Sequence, residues 1–159
     1  MNIFVLDKDI EKSAKAHCNP HVVKMPLETA QLLCTARHEL GESADTIPYR
    51  KTHVNHPCSI WARESLYNYV WLCRFGVALC KEYTHRYGKV HSCQHTLEHA
   101  KMIFPPSNGE VTPFARAMPD EFKYDTSIDT ITAYKRYIAS KPWASSNYLR
   151  DPSRKPHWL

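Results

Sequence analysis

Glycine is scarce in this sequence: 4 residues in 159, against 11 prolines. So few glycines argue against a glycine-rich loop of the kind that cradles nucleotide phosphates. No apolar run approaches the roughly 18 residues that a membrane-spanning helix needs. The opening stretch MNIFVLDKDI becomes charged after six residues, which is too short for the apolar region of a secretory signal. We therefore expect a cytoplasmic protein with no membrane partner.

Several catalytic and metal-binding signatures are also missing. There is no G-x-S-x-G, no phosphate-binding loop and no zinc-deaminase motif, which excludes those enzyme classes. The six cysteines form no C-x-x-C pair, and without a secretory signal we expect reduced, buried thiols. Among ten histidines, His17/His21 and His95/His99 have a spacing that can hold a metal. Because no H-E-x-x-H and no fixed carboxylate ligand accompanies them, we predict neither a metal nor a cofactor.

The composition, 43% hydrophobic and 23% charged, is that of a globular domain. The apolar spacing predicts a mainly α fold, a single compact helical domain over 1–140 with a short extended segment, MNIFVL, at its start. We expect a short helix within 7–16, and a second over 20–38 that is capped by Asn19 and interrupted at Pro26. The longest helix should run from Pro57 to Tyr87, with a bend at Gly76 and a stop at Gly88. Further helices should follow Ser92 and Ser127, around a proline-containing loop over 105–121.

Positive charge is concentrated at the end of the chain. From residue 133 onward there are six bases and one acid, Asp151, which equals the entire net charge of +5. The last part, 141–159, forms a basic C-terminal tail that also carries Trp143, Tyr148 and Trp158. Such a tail could bind a nucleic-acid backbone and stack rings on bases. A solvated surface segment is the alternative.

A polar stripe on the second predicted helix is the first candidate site. It contains His21, Lys24, Glu28 and Gln31, which share one helical face because they are three or four residues apart. Lys24 could act as an amine nucleophile, and His21 and Glu28 could transfer protons. An ordinary exposed helical face is the alternative reading of the same spacing.

A second set of polar residues lies on the long predicted helix. Trp61, Arg63, Glu64 and Asn68 could face the first stripe across a helix pair and bind substrate. At the end of the helix, a group of cations and aromatics that includes Arg86 and His91 could bind phosphate. Cations there would also complement the helix dipole with no functional role.

The segments MNIFVLDKD, AHCNPHVVKMPLETAQLLCTA, HPCSIWARESLYNYVWL, YTHRYGKVH and TPFARAMPDE resemble a family of small proteins encoded by tailed bacteriophages. In element order and length, His21-Val-Val-Lys24-Met-Pro26 and Arg86-Tyr-Gly88 also resemble the pyrimidine-dimer DNA glycosylase/endonuclease V group. That second resemblance implies catalysis by the N-terminal α-amine, here Met1, and a helix glutamate. The position of that glutamate falls nearer Lys24 than Glu28.

Three functions follow as alternatives. The first is a phage DNA-processing enzyme of the glycosylase/lyase kind, with Lys24 or the Met1 amine as nucleophile and Arg63, Arg86 and the tail on phosphates. The second is an enzyme or binder for a nucleotide-derived small molecule, held between the two polar stripes. The third is a non-enzymatic DNA-binding protein used in host takeover. The oligomeric state stays open.

Overall fold

The structure is a computed structural model that describes residues 1–103 and 109–159, with the backbone alone for 101–103. The described part of the chain is helical and contains no strand, which confirms the mainly α fold and the single domain. The helices are α1 (Ile10–Lys15), α2 (Asn19–Glu39), α3 (Pro57–Glu64), α4 (Leu66–Tyr87), α5 (Gln94–Ile103), α6 (Asp120–Lys123) and α7 (Thr130–Ala139). Short 3-10 turns occur at Ala44–Thr46, Ala144–Ser146 and Pro152–Arg154.

Helices α2 and α4 form the centre of the domain, and α1, α3 and α5 pack around them. Their facing side chains include Leu32, Leu33, Leu72 and Leu79, all buried. Gly76 lies where α4 meets both α2 and α5. A Cβ atom at that position would come within 2.6 Å of Leu97 and 2.9 Å of Thr29. The absent side chain therefore allows three helices to approach one another.

The long helix predicted over 57–87 is in fact two helices. The break falls at Ser65, whose backbone is extended, with φ −148° and ψ 157°. Its hydroxyl accepts a hydrogen bond from the Asn68 backbone N–H at 3.1 Å and so caps α4. The apolar pattern continues through both helices, which concealed the break. The predicted stop was right: Gly88 ends α4 in the left-handed conformation, with φ 67°.

Several predicted helix starts were displaced by a residue or two. Cys18, and not Asn19, occupies the cap position of α2, since the Asn19 side chain accepts a hydrogen bond from Arg86. Pro26 lies inside α2 without breaking it. Helix α5 begins two residues after Ser92, and Asp129 caps α7 in place of Ser127. The predicted loop over 105–121 is non-helical from 109 to 119; residues 104–108 lie outside the described part.

The apolar segment at the start of the chain is a buried extended stretch. Ile3, Phe4, Val5 and Leu6 all belong to the core. The Leu6 backbone N–H donates to the Ser13 hydroxyl of α1 at 2.9 Å. At the other end, the Asn2 backbone N–H donates to Glu28 of α2 at 2.9 Å, so contacts at both ends fix the path of the first residues.

The C-terminal tail packs on the helices. The Tyr148 hydroxyl is buried and donates to the Ala16 carbonyl at 2.6 Å. Arg154 donates to Glu82 of α4 at 2.9 Å, and Asp151 pairs with His85 at 2.7 Å. Trp158 packs against the core. In the described residues, no helix has the length and apolar character needed to cross a membrane.

Candidate active site

The beginning of the chain and helix α2 enclose a cavity of about 220 Å³. One wall is the extended N-terminal segment, and the other is the face of α2 that carries the predicted stripe. Tyr137 of α7 closes a third side. The lining residues are Met1, Asn2, Phe4, His21, Lys24, Met25, Glu28 and Tyr137. The cavity therefore combines two amines, one carboxylate and one imidazole.

Glu28 is the centre of this arrangement. Its side chain is only 10% exposed, yet three nitrogen groups surround it. Oε2 accepts the Asn2 backbone N–H at 2.9 Å and lies 3.8 Å from the Met1 α-ammonium. Oε1 lies 3.2 Å from the Lys24 ammonium. Burial of a carboxylate is tolerated when it is paired and hydrogen-bonded in this way.

The two amines differ in how firmly they are held. The Met1 side chain is 4% exposed and packs against the core, although the residue as a whole is only partly buried. Its accessible surface is therefore mainly backbone, which includes the α-amine. The Lys24 side chain is 70% exposed and reaches Glu28 from the rim. The Met1 amine is thus the pre-positioned one of the pair.

A buried polar network fixes the residues next to that amine. The Asn2 side chain donates to the Ala117 carbonyl at 2.7 Å, and its Oδ1 accepts from the Ile3 N–H at 2.8 Å. The Tyr134 hydroxyl lies 2.9 Å from the same Oδ1. Burial raises the pKa of Tyr134 well above its ordinary value, so it stays a neutral phenol. Sequence reasoning missed Asn2 and Tyr134, because 132 residues separate them.

His21 is a neutral imidazole inside the cavity. Its ring stacks on Phe4 with centroids 4.5 Å apart and meets the edge of Trp143 at 5.5 Å. Burial lowers the pKa of His21 to about 4, and Nδ1 has no hydrogen-bond partner in the described part of the chain. At neutral pH the ring therefore offers a neutral donor and acceptor and no charge.

Aromatic and basic residues from the C-terminal part of the chain contact two of the residues that line the cavity. Trp143 is 41% exposed and lies beside His21. The Lys141 ammonium lies 4.6 Å from the centroid of the Tyr137 ring. An exposed indole and the Lys141 ammonium thus lie next to lining residues, and Lys24 belongs to the lining itself.

The predicted set on α3 and α4 lies elsewhere and secures the loop over 109–118. Trp61 donates to the Thr112 carbonyl at 3.2 Å and stacks on Phe114. Asn68 is fully buried and accepts from the Thr112 N–H at 2.9 Å. Glu64 accepts from the Thr112 hydroxyl at 2.7 Å. These contacts leave the three side chains engaged with the loop.

Arg63 and Glu64 line a separate cavity with Leu40 and Leu66, which shares no residue with the one around Glu28. Arg63 also donates to the Val54 carbonyl at 2.8 Å. The two stripes therefore do not meet in one site. Gln31 is half-buried on α2 and is not among the residues that line the Glu28 cavity.

Arg86 and His91 also have structural partners. Arg86 is buried and donates to Glu82 at 2.8 Å, to Asn19 at 3.0 Å and to the Lys15 carbonyl at 2.9 Å. His91 bonds to the Val23 carbonyl at 2.9 Å and accepts the Cys93 N–H. Both residues connect helices within the fold.

Metal ligands do not cluster in the described residues: no group of three or more His, Cys, Asp or Glu side chains could hold an ion there. The six cysteines are buried and unpaired with one another. Burial raises the pKa of the Cys58 thiol to about 11 and that of Cys73 to about 12. The Cys58 and Cys73 thiols are therefore protonated at neutral pH, and they pack as small core residues.

Comparison with known families identifies the class of protein. A family model described as pyrimidine dimer DNA glycosylase matches residues 1–95. The match contains every residue that lines the Glu28 cavity except Tyr137. Because it covers more than half of the chain, the protein belongs to the pyrimidine dimer DNA glycosylase family. Searches of curated proteins and of solved structures gave no match.

Family membership confirms the predicted resemblance to the glycosylase group and supports a DNA-glycosylase-type enzyme with DNA as its partner. It gives no support to the predicted alternative of a nucleotide-derived small molecule. Phage origin and cytoplasmic location stay predictions.

Proposed function

We propose that this protein is a DNA glycosylase for pyrimidine dimers in which the Met1 α-amine is the nucleophile and Glu28 transfers the proton. The observation that carries the proposal is the buried Glu28 carboxylate, 3.8 Å from the Met1 amine. In the resemblance described above, the family's glutamate falls nearer to the position of Lys24. Glu28 lies four residues after Lys24. A carboxylate one helical turn away can serve the same amine, because residues i and i+4 share a face.

The chemistry needs a neutral amine. Once its proton has passed to Glu28, the amine nitrogen attacks C1′ of the damaged nucleotide, and an N–C1′ bond forms. The bond between C1′ and the base breaks, and the base keeps the electron pair and takes up a proton that the attacking nitrogen, now an ammonium, gives up. The nitrogen lone pair then opens the C1′–O4′ bond to give a protonated imine, and O4′ takes the proton held by Glu28. Proton transfer by a positioned carboxylate contributes about 10²–10⁴-fold in such steps.

Access to C1′ requires that the nucleotide leave the base stack. Extrusion costs a few kcal/mol and is least costly at damaged pairs. Trp143, which is exposed and contacts His21, could stack on the exposed base, and stacking of this kind contributes about 1–3 kcal/mol per base. Lys24 and Lys141 could hold the neighbouring phosphates. In this proposal Lys24 binds backbone and assists Glu28, and it is the second candidate nucleophile.

Borohydride trapping tests the proposal. A duplex with one cyclobutane pyrimidine dimer is incubated with the protein and sodium borohydride, which reduces an imine to a stable amine. We expect a covalent complex, and mass spectrometry of its peptides should place the sugar on Met1. Attachment at Lys24 would exchange the roles of the two amines. Absence of any adduct, with the dimer strand uncut, would contradict a glycosylase.

Two variants sharpen this test. Glu28→Gln keeps the size of the side chain and removes the proton acceptor, so trapping should fall about 10²-fold or more. Glu39→Gln is the matched control. It makes the same chemical change on α2, at a residue that pairs with Lys51 on the surface, and it should trap as efficiently as the unmodified protein.

A further inference from the structure

A second cleft, of about 400 Å³, is lined by positively charged side chains. Lysines from three parts of the chain line it: Lys12 and Lys15 from α1, Lys135 from α7 and Lys155 from the C-terminal tail. Asp7 is its one lining carboxylate. No ion pair involves these four lysines in the described part of the chain. Four lysines that line one cavity and have no ion-pair partner in the described residues form a site for an anion.

The cleft is built before any ligand arrives. Arg154 lines it, and its guanidinium is held by the buried carboxylate of Glu82 at 2.9 Å. Trp158 also lines the cleft and packs against the core. The Lys135 ammonium lies 6.0 Å from the centroid of the Trp158 ring. Since the walls are anchored, little ordering of the protein is needed on binding, which favours affinity.

The position of the cleft relates it to the Glu28 cavity. Asn2 lines the Glu28 cavity and Leu6 lines the basic cleft, and four residues of chain connect them. A fully extended chain spans at most about 3.6 Å per residue, so these two backbone points lie within about 14 Å of each other. Along one DNA strand, successive nucleotides rise about 3.4 Å, so this upper limit corresponds to at most about four nucleotides. One DNA molecule can therefore reach both openings.

We propose that the basic cleft binds backbone phosphates of the DNA that flanks the damaged nucleotide, within about four nucleotides of it. The cleft would add affinity that does not depend on sequence and would fix the direction of the duplex on the protein. This proposal rests on the proposed function for its substrate, but its chemistry, an ammonium cluster on phosphodiesters, is independent of catalysis.

The first measurement uses undamaged duplex, so that it does not depend on glycosylase activity. Fluorescence anisotropy gives the affinity for a labelled duplex across a salt series. Each lost phosphate contact flattens the log–log slope by about 0.9, so Lys12→Gln/Lys15→Gln should flatten it by about 1.8. Both side chains are exposed, and glutamine has a helix propensity close to that of lysine, so the fold should be retained.

The control is Arg50→Gln/Lys51→Gln, which removes the same charge. Lys51 pairs with Glu39 at the far end of α2, about 30 Å along the helix from its start by helical rise. The log–log salt slope of this control variant should equal that of the unmodified protein. The proposal is wrong if the cleft variant and the unmodified protein have equal salt slopes. It is also wrong if the cleft variant and the control variant flatten the slope by the same amount. Saturable quenching of tryptophan fluorescence by inorganic phosphate, with an unchanged DNA slope, would assign the cleft to free phosphate and also overturn it.

The second measurement locates the phosphates. Duplexes carry the dimer and a patch of neutral methylphosphonates about three to five nucleotides away, on one side of one strand at a time. One of these patches should weaken binding by the unmodified protein and leave the cleft variant unaffected. If every patch weakens both proteins equally, the cleft does not contact flanking DNA. If borohydride trapping succeeds and these binding tests fail, the proposed glycosylase function stands and the proposed role of the cleft is wrong. If trapping fails and the binding tests succeed, the cleft binds DNA on a protein that is not a glycosylase.

Discussion

At the scale of single residues, the buried ionisable groups divide by how their charge is compensated. Glu28 and Glu82 stay close to cations, whereas His17 and His21 avoid charge altogether. Burial lowers the pKa of His17 to about 3 and that of His21 to about 4. The Nδ1 of His17 is satisfied by the Ser13 carbonyl at 2.7 Å, while Nε2 has no partner in the described part of the chain.

These two histidines should make the fold sensitive to mild acid. The pKa values of both histidines in the folded state lie below the ordinary 6.5. As the pH falls, the unfolded chain therefore protonates these histidines at a higher pH than the folded protein does. Stability is therefore complete above pH 6.5 and is lost as the pH falls towards 4. Between pH 7 and pH 5 each histidine should remove about 2 kcal/mol from the free energy of unfolding. Urea titrations at the two pH values measure this loss.

The variant His17→Phe tests whether His17 causes this loss of stability. The His17 and Phe75 ring centroids are 5.6 Å apart, and a phenylalanine ring can keep that contact. The loss between pH 7 and pH 5 should shrink by about 2 kcal/mol, the His17 share. His157→Gln at an exposed position should leave the loss as it is in the unmodified protein. An unaltered pH dependence in His17→Phe would show that His17 is not the group that titrates.

At the scale of helices, the apolar pattern predicted the positions of α2, α4 and α7 because each buries one face against the core. The break at Ser65 could not be predicted this way, because apolar residues continue through both α3 and α4. Its signal is the Ser65 hydroxyl, which accepts from the Asn68 N–H and caps α4, and the apolar pattern does not report a cap. Gly76, where the sequence suggested a bend, marks a close approach of α4 to Leu97 and Thr29, and no local spacing reports such an approach.

Gly76→Ala should therefore destabilise the fold even though alanine is the better helix former. The propensity gain is about 1 kcal/mol. The added Cβ would lie 2.6 Å from a Leu97 methyl group and 2.9 Å from a Thr29 methyl group. Overpacking of this kind costs about 1–3 kcal/mol, so a net loss of up to about 2 kcal/mol is expected in urea denaturation. Adding Thr29→Ser, which removes one methyl group, should cost less than the sum of the single changes. A more stable Gly76→Ala variant would contradict the close packing.

At the scale of the whole molecule, the candidate site joins parts that the sequence predicts separately. The 3–4 spacing of His21, Lys24 and Glu28 correctly indicated a shared face. That this face meets Met1 and Asn2 depends on the path of a buried segment, and a six-residue apolar run does not specify its path. The charge of the C-terminal tail was evident from composition, but its docking on α1 and α4 was not, because Glu82, His85 and Ala16 lie far away in sequence.

The docked tail leads to a prediction about truncation. Removing residues 141–159 deletes the buried Tyr148 with its hydrogen bond to Ala16, and it leaves Glu82 without Arg154. Loss of a large buried aromatic side chain alone costs about 3–5 kcal/mol, a substantial part of the stability of an ordinary domain. Thermal unfolding should therefore show a much lower Tm, and DNA binding by this fragment would reflect partial unfolding. Arg150→Gln/Lys155→Gln removes two charges at exposed positions and should leave Tm within a few degrees. A truncated protein that unfolds at the same temperature as the intact one would show that the tail is dispensable for the fold.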